Sequence, residues 1–112
     1  RYRASGMLSD TRYAEVIASS LRARGDSQRA IVHRLEGRGV DRGAIEEALL
    51  LADRDTPDAE LAAARQFARR RRLGPHRPAH ERSSKRDRDL GALARAGFSY
   101  DVASRVLDDD QR

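Results

Sequence analysis

The 112-residue chain contains no cysteine, which excludes a disulfide framework and a zinc finger and is compatible with the reducing cytosol. No apolar run approaches the roughly 20 residues needed to cross a bilayer, and no secretory apolar segment is present. A cytoplasmic location without membrane contact is therefore expected. Aromatic residues are scarce: Tyr2, Tyr13, Phe67, Phe98 and Tyr100. Tyr13 and Phe67 fall on apolar helical stripes, whereas platforms for single-stranded nucleic acid interleave exposed aromatics with cations, so base stacking is disfavoured. There is no glycine-rich loop of the GxxxxGK kind, and His33, His76 and His80 stand in no zinc, triad or phosphate-binding pattern. His76 and His80 share a proline-containing loop but have no fixed third ligand, and His33 reads as a helix-surface residue. No catalytic centre, metal site or cofactor is expected. Apolar residues make up only 38% of the chain, which favours layered helices around a thin core.

Charge is what the sequence has in abundance. Charged residues reach 37% with a formal net charge of +5, and Lys85 is the single lysine among 23 Lys and Arg. Arginine grips phosphate or carboxylate through a planar fork, so polyanions and acidic protein faces are the partners this bias fits. An arginine excess also follows from a GC-rich coding genome, and so position carries more of the argument than number. The sequence begins with Arg1 rather than Met, from which a missing upstream segment is expected.

The periodicity predicts an all-α chain. A first helix follows Gly6-Met7-Leu8 with Ser9 or Asp10 as N-cap, carries Tyr13, Ile17 and Leu21, and ends near Gly25. Ser27 caps a second helix with Ile31 and Leu35 inward, closing at Gly37 and Gly39, and Asp41 caps a third with Ile45, Ala48 and Leu49. Thr56-Pro57 reads as N-cap and N1 of a fourth helix holding Leu61, Ala64, Phe67 and Ala68. Residues 74–84 read as a basic loop with a turn near its end. A further helix holds Leu90, Leu93 and Ala94 and stops at Gly97, and Ser99 or Asp101 starts the last, with Val102, Ala103, Val106 and Leu107. Leu35, Gly39, Ile45 and Leu49 have the same spacing as Leu93, Gly97, Ala103 and Leu107, with Val40 and Phe98 following the glycines. The repeat predicts two tandem three-helix units, residues 1–54 and 55–112, packed as a short curved array that shares a core between neighbours.

Charge segregates along this array. Residues 65–88 hold ten cations against Glu81 and Asp87, whereas residues 43–64 hold Arg54 against six acids. The acids read as helix caps, or as a docking face for basic helices of the chain or of a partner. Four consecutive arginines, Arg69, Arg70, Arg71 and Arg72, exceed one helical turn, so some point outward beside Arg65 and some lie along the apolar stripe. A second strip contains Arg22, Arg24, Arg29, Arg34 and Arg38, in which Arg34 and Arg38 form a repulsive i,i+4 pair that an anionic ligand would relieve. These nine arginines are the candidate contacts for a partner or for DNA phosphates. Base-edge reading by a helix-turn-helix fits poorly, because the second helix presents mainly arginine.

The segment Gly6-Met7-Leu8-Ser9-Asp10-Thr11-Arg12-Tyr13-Ala14 resembles the pattern that opens a central helical module of the RecX family: Gly, any residue, Leu, then Asp, any residue, Arg, aromatic, Ala. Leu35-Glu36-Gly37-Arg38-Gly39-Val40-Asp41 with Ile45-Glu46-Glu47-Ala48-Leu49 is similar to the close of that module. Residues 93–103 with Val106-Leu107 are similar to the family's final module, and Ala68-Arg69-Arg70-Arg71-Arg72-Leu73-Gly74-Pro75 resembles the alphaproteobacterial version. The resemblance implies tandem three-helix repeats and binding in the groove of the RecA filament on DNA. It further implies repression of RecA ATP hydrolysis, strand exchange and coprotease activity, and a part in the SOS response to DNA damage. It implies no catalytic residues, and an additional N-terminal helical module that is expected to be missing from this sequence. A monomer is expected. The alternatives are a general DNA-binding or architectural protein acting through phosphates, and a protein-only adaptor docking through its acids.

Overall fold

A computed structural model describes residues 7–108, with side chains from Asp10 onward. The described residues are helical, without strands: α1 (Met7–Arg24), α2 (Gln28–Gly37), α3 (Arg42–Asp53), α4 (Ala59–Arg71), a 3-10 turn (Gly74–His76), α5 (Ala79–Arg82), α6 (Arg86–Arg95) and α7 (Tyr100–Leu107). Tyr2, Gly6 and the acidic tail beyond Asp108 lie outside the described residues.

Local signals set most boundaries. The Gly25 N–H reaches the Leu21 and Arg22 carbonyls and the Asp26 N–H the Leu21 carbonyl, with Gly25 at φ +104°, which satisfies the end of α1 through a left-handed residue. Ser27 accepts from the Ala30 N–H and Asp41 from Gly43 and Ala44, so these two caps stand as expected, and of Ser99 and Asp101 it is Ser99 that caps the last helix, accepting from Val102, with Asp101 in its first turn. Two helix starts differ from expectation. Helix α1 already runs from Met7, which puts Ser9 and Asp10 inside it; Asp10 sits in the first turn, where its charge favours the helix dipole. Helix α4 is capped by Asp58 and not by Thr56: Asp58 takes a left-handed conformation (φ 50°) that Asp tolerates, and its carboxylate accepts from Leu61, while Thr56 and Pro57 belong to the preceding turn. The predicted basic loop is more regular than expected, since it contains both the 3-10 turn and the one-turn α5.

Two hydrophobic clusters form. Ala14, Ala18, Leu21, Ile31, Leu35, Val40, Ile45 and Leu49 unite α1, α2 and α3. Leu61, Ala64, Phe67, Leu93, Phe98, Ala103 and Val106 unite α4, α6 and α7. The sequence repeat is thus a structural one: Leu35 and Leu93 are fully buried, Gly39 and Gly97 both have positive φ, and Val40 and Phe98 close the turn over each core. From the left-handed Gly25 to Leu35 the chain runs ten residues, and from the left-handed Arg72 to Leu93 twenty-one. The second unit therefore carries an eleven-residue insertion that includes α5.

That insertion is latched by a buried carboxylate. Asp89, at the position matching Ile31 in the repeat, has no exposed surface. It accepts from the Gly74 N–H (2.8 Å) and from both Nε (2.7 Å) and Nη2 (2.8 Å) of Arg77. Burial pushes its pKa up, but the hydrogen bonds from Arg77 and Gly74 outweigh this and hold it below the usual aspartate value. Arg82 ties the insertion to itself by donating to the Arg77 and Pro75 carbonyls.

Candidate partner-binding face

The two units meet through small residues and one ionic clamp. Gly25 lies so close to α4 that a Cβ there would stand 2.7 Å from the Phe67 backbone nitrogen, and a Cβ on Gly97 would collide with Ser27 Oγ. Ser27, fully buried, donates its hydroxyl to the Ala96 carbonyl at 2.8 Å while it caps α2. Arg22 binds Asp53 with a two-pronged fork (Nε–Oδ1 3.1 Å, Nη2–Oδ2 3.0 Å) and reaches Glu60 of the second unit at 2.8 Å. Burial opposes the Arg22 charge, yet the hydrogen bonds to Asp53 and Glu60 raise its pKa above the ordinary value. With its side chain only 9% exposed, Arg22 holds the joint and does not present its guanidinium outward, contrary to its expected place in the contact strip.

On one side of the joint a cleft of about 360 Å³ opens. It is lined by Gly25, Asp26, Ala30, Phe67, Arg71, Ala92, Arg95 and Ala96. The ends of α1, α4 and α6 converge here, which is why basic residues of three last turns gather: Arg24, Arg70, Arg71 and Arg95. Arg70 Nε donates to the Arg24 carbonyl (2.8 Å), Arg71 lies 5.0 Å from the centre of the Phe67 ring, and Arg24 pairs with Asp26 (3.1 Å). Arg34 and Arg38 continue the Ala30 flank of α2 by one and two turns, and Arg38 Nη1 donates to Tyr13 Oη at 2.9 Å.

The remaining candidates lie elsewhere. Arg29 is on the opposite flank of α2, in a groove of mixed sign with His33, Arg42, Glu36 and Glu60. Arg69 is exposed on the face of α4 shared with Arg65, and Arg72, also exposed, is the left-handed residue that ends the helix. The four-arginine run therefore diverges in direction, as its length requires. Arg95 was missed by sequence reasoning, because the repeat reveals that two units exist but not how one packs on the other.

The acidic belt is largely engaged within the chain. Arg22 takes Asp53 and Glu60, Arg105 meets Asp58 at 3.4 Å, Arg54 lies 3.9 Å from Asp55, and Arg42 lies 3.7 Å from Glu46. A third groove, between α1 and α3, sets Arg12 among Glu15, Asp41 and Glu47. Among the described residues no cluster of His, Asp or Glu could hold a metal, and no helix is long and apolar enough to cross a membrane.

Comparison with known proteins agrees with the repeat architecture. The family described as RecX, second three-helix domain, matches residues 9–49, which is the α1 to α3 unit. The chain is 45% identical over 105 residues to the regulatory protein RecX of Myxococcus xanthus, covering 93% of this chain and 55% of that protein. It is 35% identical over 100 residues to regulatory protein RecX of Agrobacterium fabrum, covering 89% and 51%. To regulatory protein RecX of Halorhodospira halophila it is 37% identical over 111 residues, covering 96% and 65%. The chain thus spans about half the length of the first two. No solved structure is significantly similar. The two-unit helical fold, the family match over the first unit and likeness to three regulatory proteins across almost the whole sequence identify the chain as a member of the RecX family.

Proposed function

We propose that the chain binds the RecA filament assembled on DNA and restrains it, lowering ATP hydrolysis, strand exchange and coprotease activity. It acts in this reading as a cytoplasmic monomer, by binding and without a catalytic step or cofactor. The observation that carries the reading is the concentration of Arg24, Arg34, Arg38, Arg70, Arg71 and Arg95 on one side of a rigid joint between two units. A filament on DNA offers acidic protein surface and phosphates together, and both are ligands for guanidinium forks. Because Gly25, Ser27, Gly97 and Arg22 hold the units in one relation, a partner touching both is held to that spacing at little further entropic cost. Arg29, Arg69 and Arg72 are flanking contacts to phosphate, and Arg22 is a support. The chain spans about half the length of two relatives, and a contact site linked to this one would raise its effective concentration at the filament.

The test is the ATPase rate of RecA filaments on single-stranded DNA as the chain is titrated in, with binding to naked DNA followed at the same salt. Inhibition at concentrations well below those that coat bare DNA supports a filament-directed regulator. Tight DNA binding that weakens steeply with salt, without inhibition, supports the general DNA-binding or architectural reading instead.

A further inference from the structure

We propose that the cleft between the two three-helix units receives an acidic side chain of a partner protein, its carboxylate held between the guanidinium groups of Arg71 and Arg95. The proposal deepens the filament-binding reading, on which it rests for the partner's identity but not for the chemistry of the cleft.

Charge first favours an anion. Three helix C-termini converge on the cleft, each equivalent to roughly half a negative charge, and Asp26 adds one more. Arg71 and Arg95 line the cleft, and with Arg24 and Arg70 beside it the positive charge at these helix ends exceeds the negative by about one and a half. Shape and surface then favour a carboxylate over nucleic acid. The lining includes a glycine and three alanine methyl groups, which suit the methylenes of a glutamate or aspartate. Phe67 is 8% exposed beneath Arg71 and offers no face to a base, and the exposed Tyr100 lies outside the lining. Arg71, held against the Phe67 ring, is oriented beforehand, and a pre-oriented fork matches the two oxygens of a carboxylate.

The test uses the full chain and a glutamate decapeptide, with a glutamine decapeptide and oligo-dT as competitors, followed by amide chemical shifts. Glutamate peptide should shift Gly25, Ala30, Ala92 and Ala96, glutamine peptide should not, and oligo-dT should fail to displace it. Arg95→Gln should weaken the peptide at least tenfold, and Arg95→Lys, which keeps charge and loses the fork, at least threefold. Arg42→Gln, in the groove on the opposite flank of α2, should leave it unchanged. Shifts spread over all the arginines, an Arg95→Lys variant equal to the parent, or displacement by oligo-dT would overturn the proposal in favour of diffuse charge or a phosphate track. RecA ATPase inhibition is measured on the same variants. Peptide binding without any inhibition by the parent chain leaves the cleft standing and removes the filament reading, and inhibition insensitive to Arg95→Gln does the reverse.

Discussion

Asp89 is a carboxylate with no exposed surface, and its three hydrogen bonds come from the segment it must hold in place. Replacing it with alanine leaves the Gly74 N–H and the Arg77 fork without their acceptor. Asp89→Ala should therefore cost about 3 kcal/mol in a denaturant titration, where an unpaired exposed aspartate would cost almost nothing. The pH dependence has a definite sign. The folded-state pKa is depressed, so the stabilisation is complete above the ordinary aspartate value of roughly 4 and is lost as pH falls through the lower folded value. Melting curves from about pH 6 to pH 2 should show the parent losing more stability than Asp89→Asn, which has no proton to take up there; equal losses would mean that the latch is not ionised. In the sequence Asp89 is the last member of a charged run that begins at Lys85, and composition cannot separate it from Asp87. The repeat could have, since its register sets residue 89 against Ile31, a core position.

At the scale of elements, the caps were legible and the joints were not. Ser27, Asp41 and Ser99 announce helices because their side chains satisfy backbone N–H groups a few residues on, which is local chemistry. The start of α4 was misread because Thr56-Pro57 has an equally good local signal, and the left-handed Asp58 wins only in the folded chain. The two glycines that end α1 and α2 show the same limit. Both have positive φ and both read as helix stops, but a Cβ on Gly39 would meet nothing within 4 Å, whereas one on Gly25 would press on the α4 backbone. Gly39→Ala should accordingly cost only the left-handed strain, about 1 kcal/mol. Gly25→Ala should cost at least about twice that, because α1 and α4 must also separate. Equal losses in parallel urea titrations would show that the close approach at Gly25 carries no energy.

The whole molecule is an elongated pair of units, with a radius of gyration of 15.8 Å and extents of 56 × 25 × 20 Å. A compact chain of this length would have a radius of gyration of about 13 Å. Charge that segregates along the sequence does not map directly onto opposite faces, because pairing across the fold intervenes: Arg22 lies in the basic strip by sequence and among Asp53 and Glu60 in space. Fold class and repeat were therefore open to reading from periodicity, while the split of the nine arginines into a cleft, its flanks and a clamp required the tertiary contacts. Arg22 joins both units through one guanidinium, so removing it tests whether they behave as one body. Arg22→Ala leaves the half-buried Asp53 carboxylate without its fork and Glu60 with only the Gln28 N–H, and should destabilise the chain by about 3 kcal/mol. The greater consequence concerns coupling. Each unit retains its own apolar cluster, so the variant should unfold in two calorimetric steps where the parent unfolds in one, and its radius of gyration in solution scattering should rise above the parent value. A variant that melts earlier but still in a single step, with an unchanged radius, would show instead that the close approaches at Gly25 and Gly97 and the Ser27–Ala96, Gln28–Glu60 and Arg70–Arg24 hydrogen bonds suffice to hold the joint, with Arg22 adding stability alone.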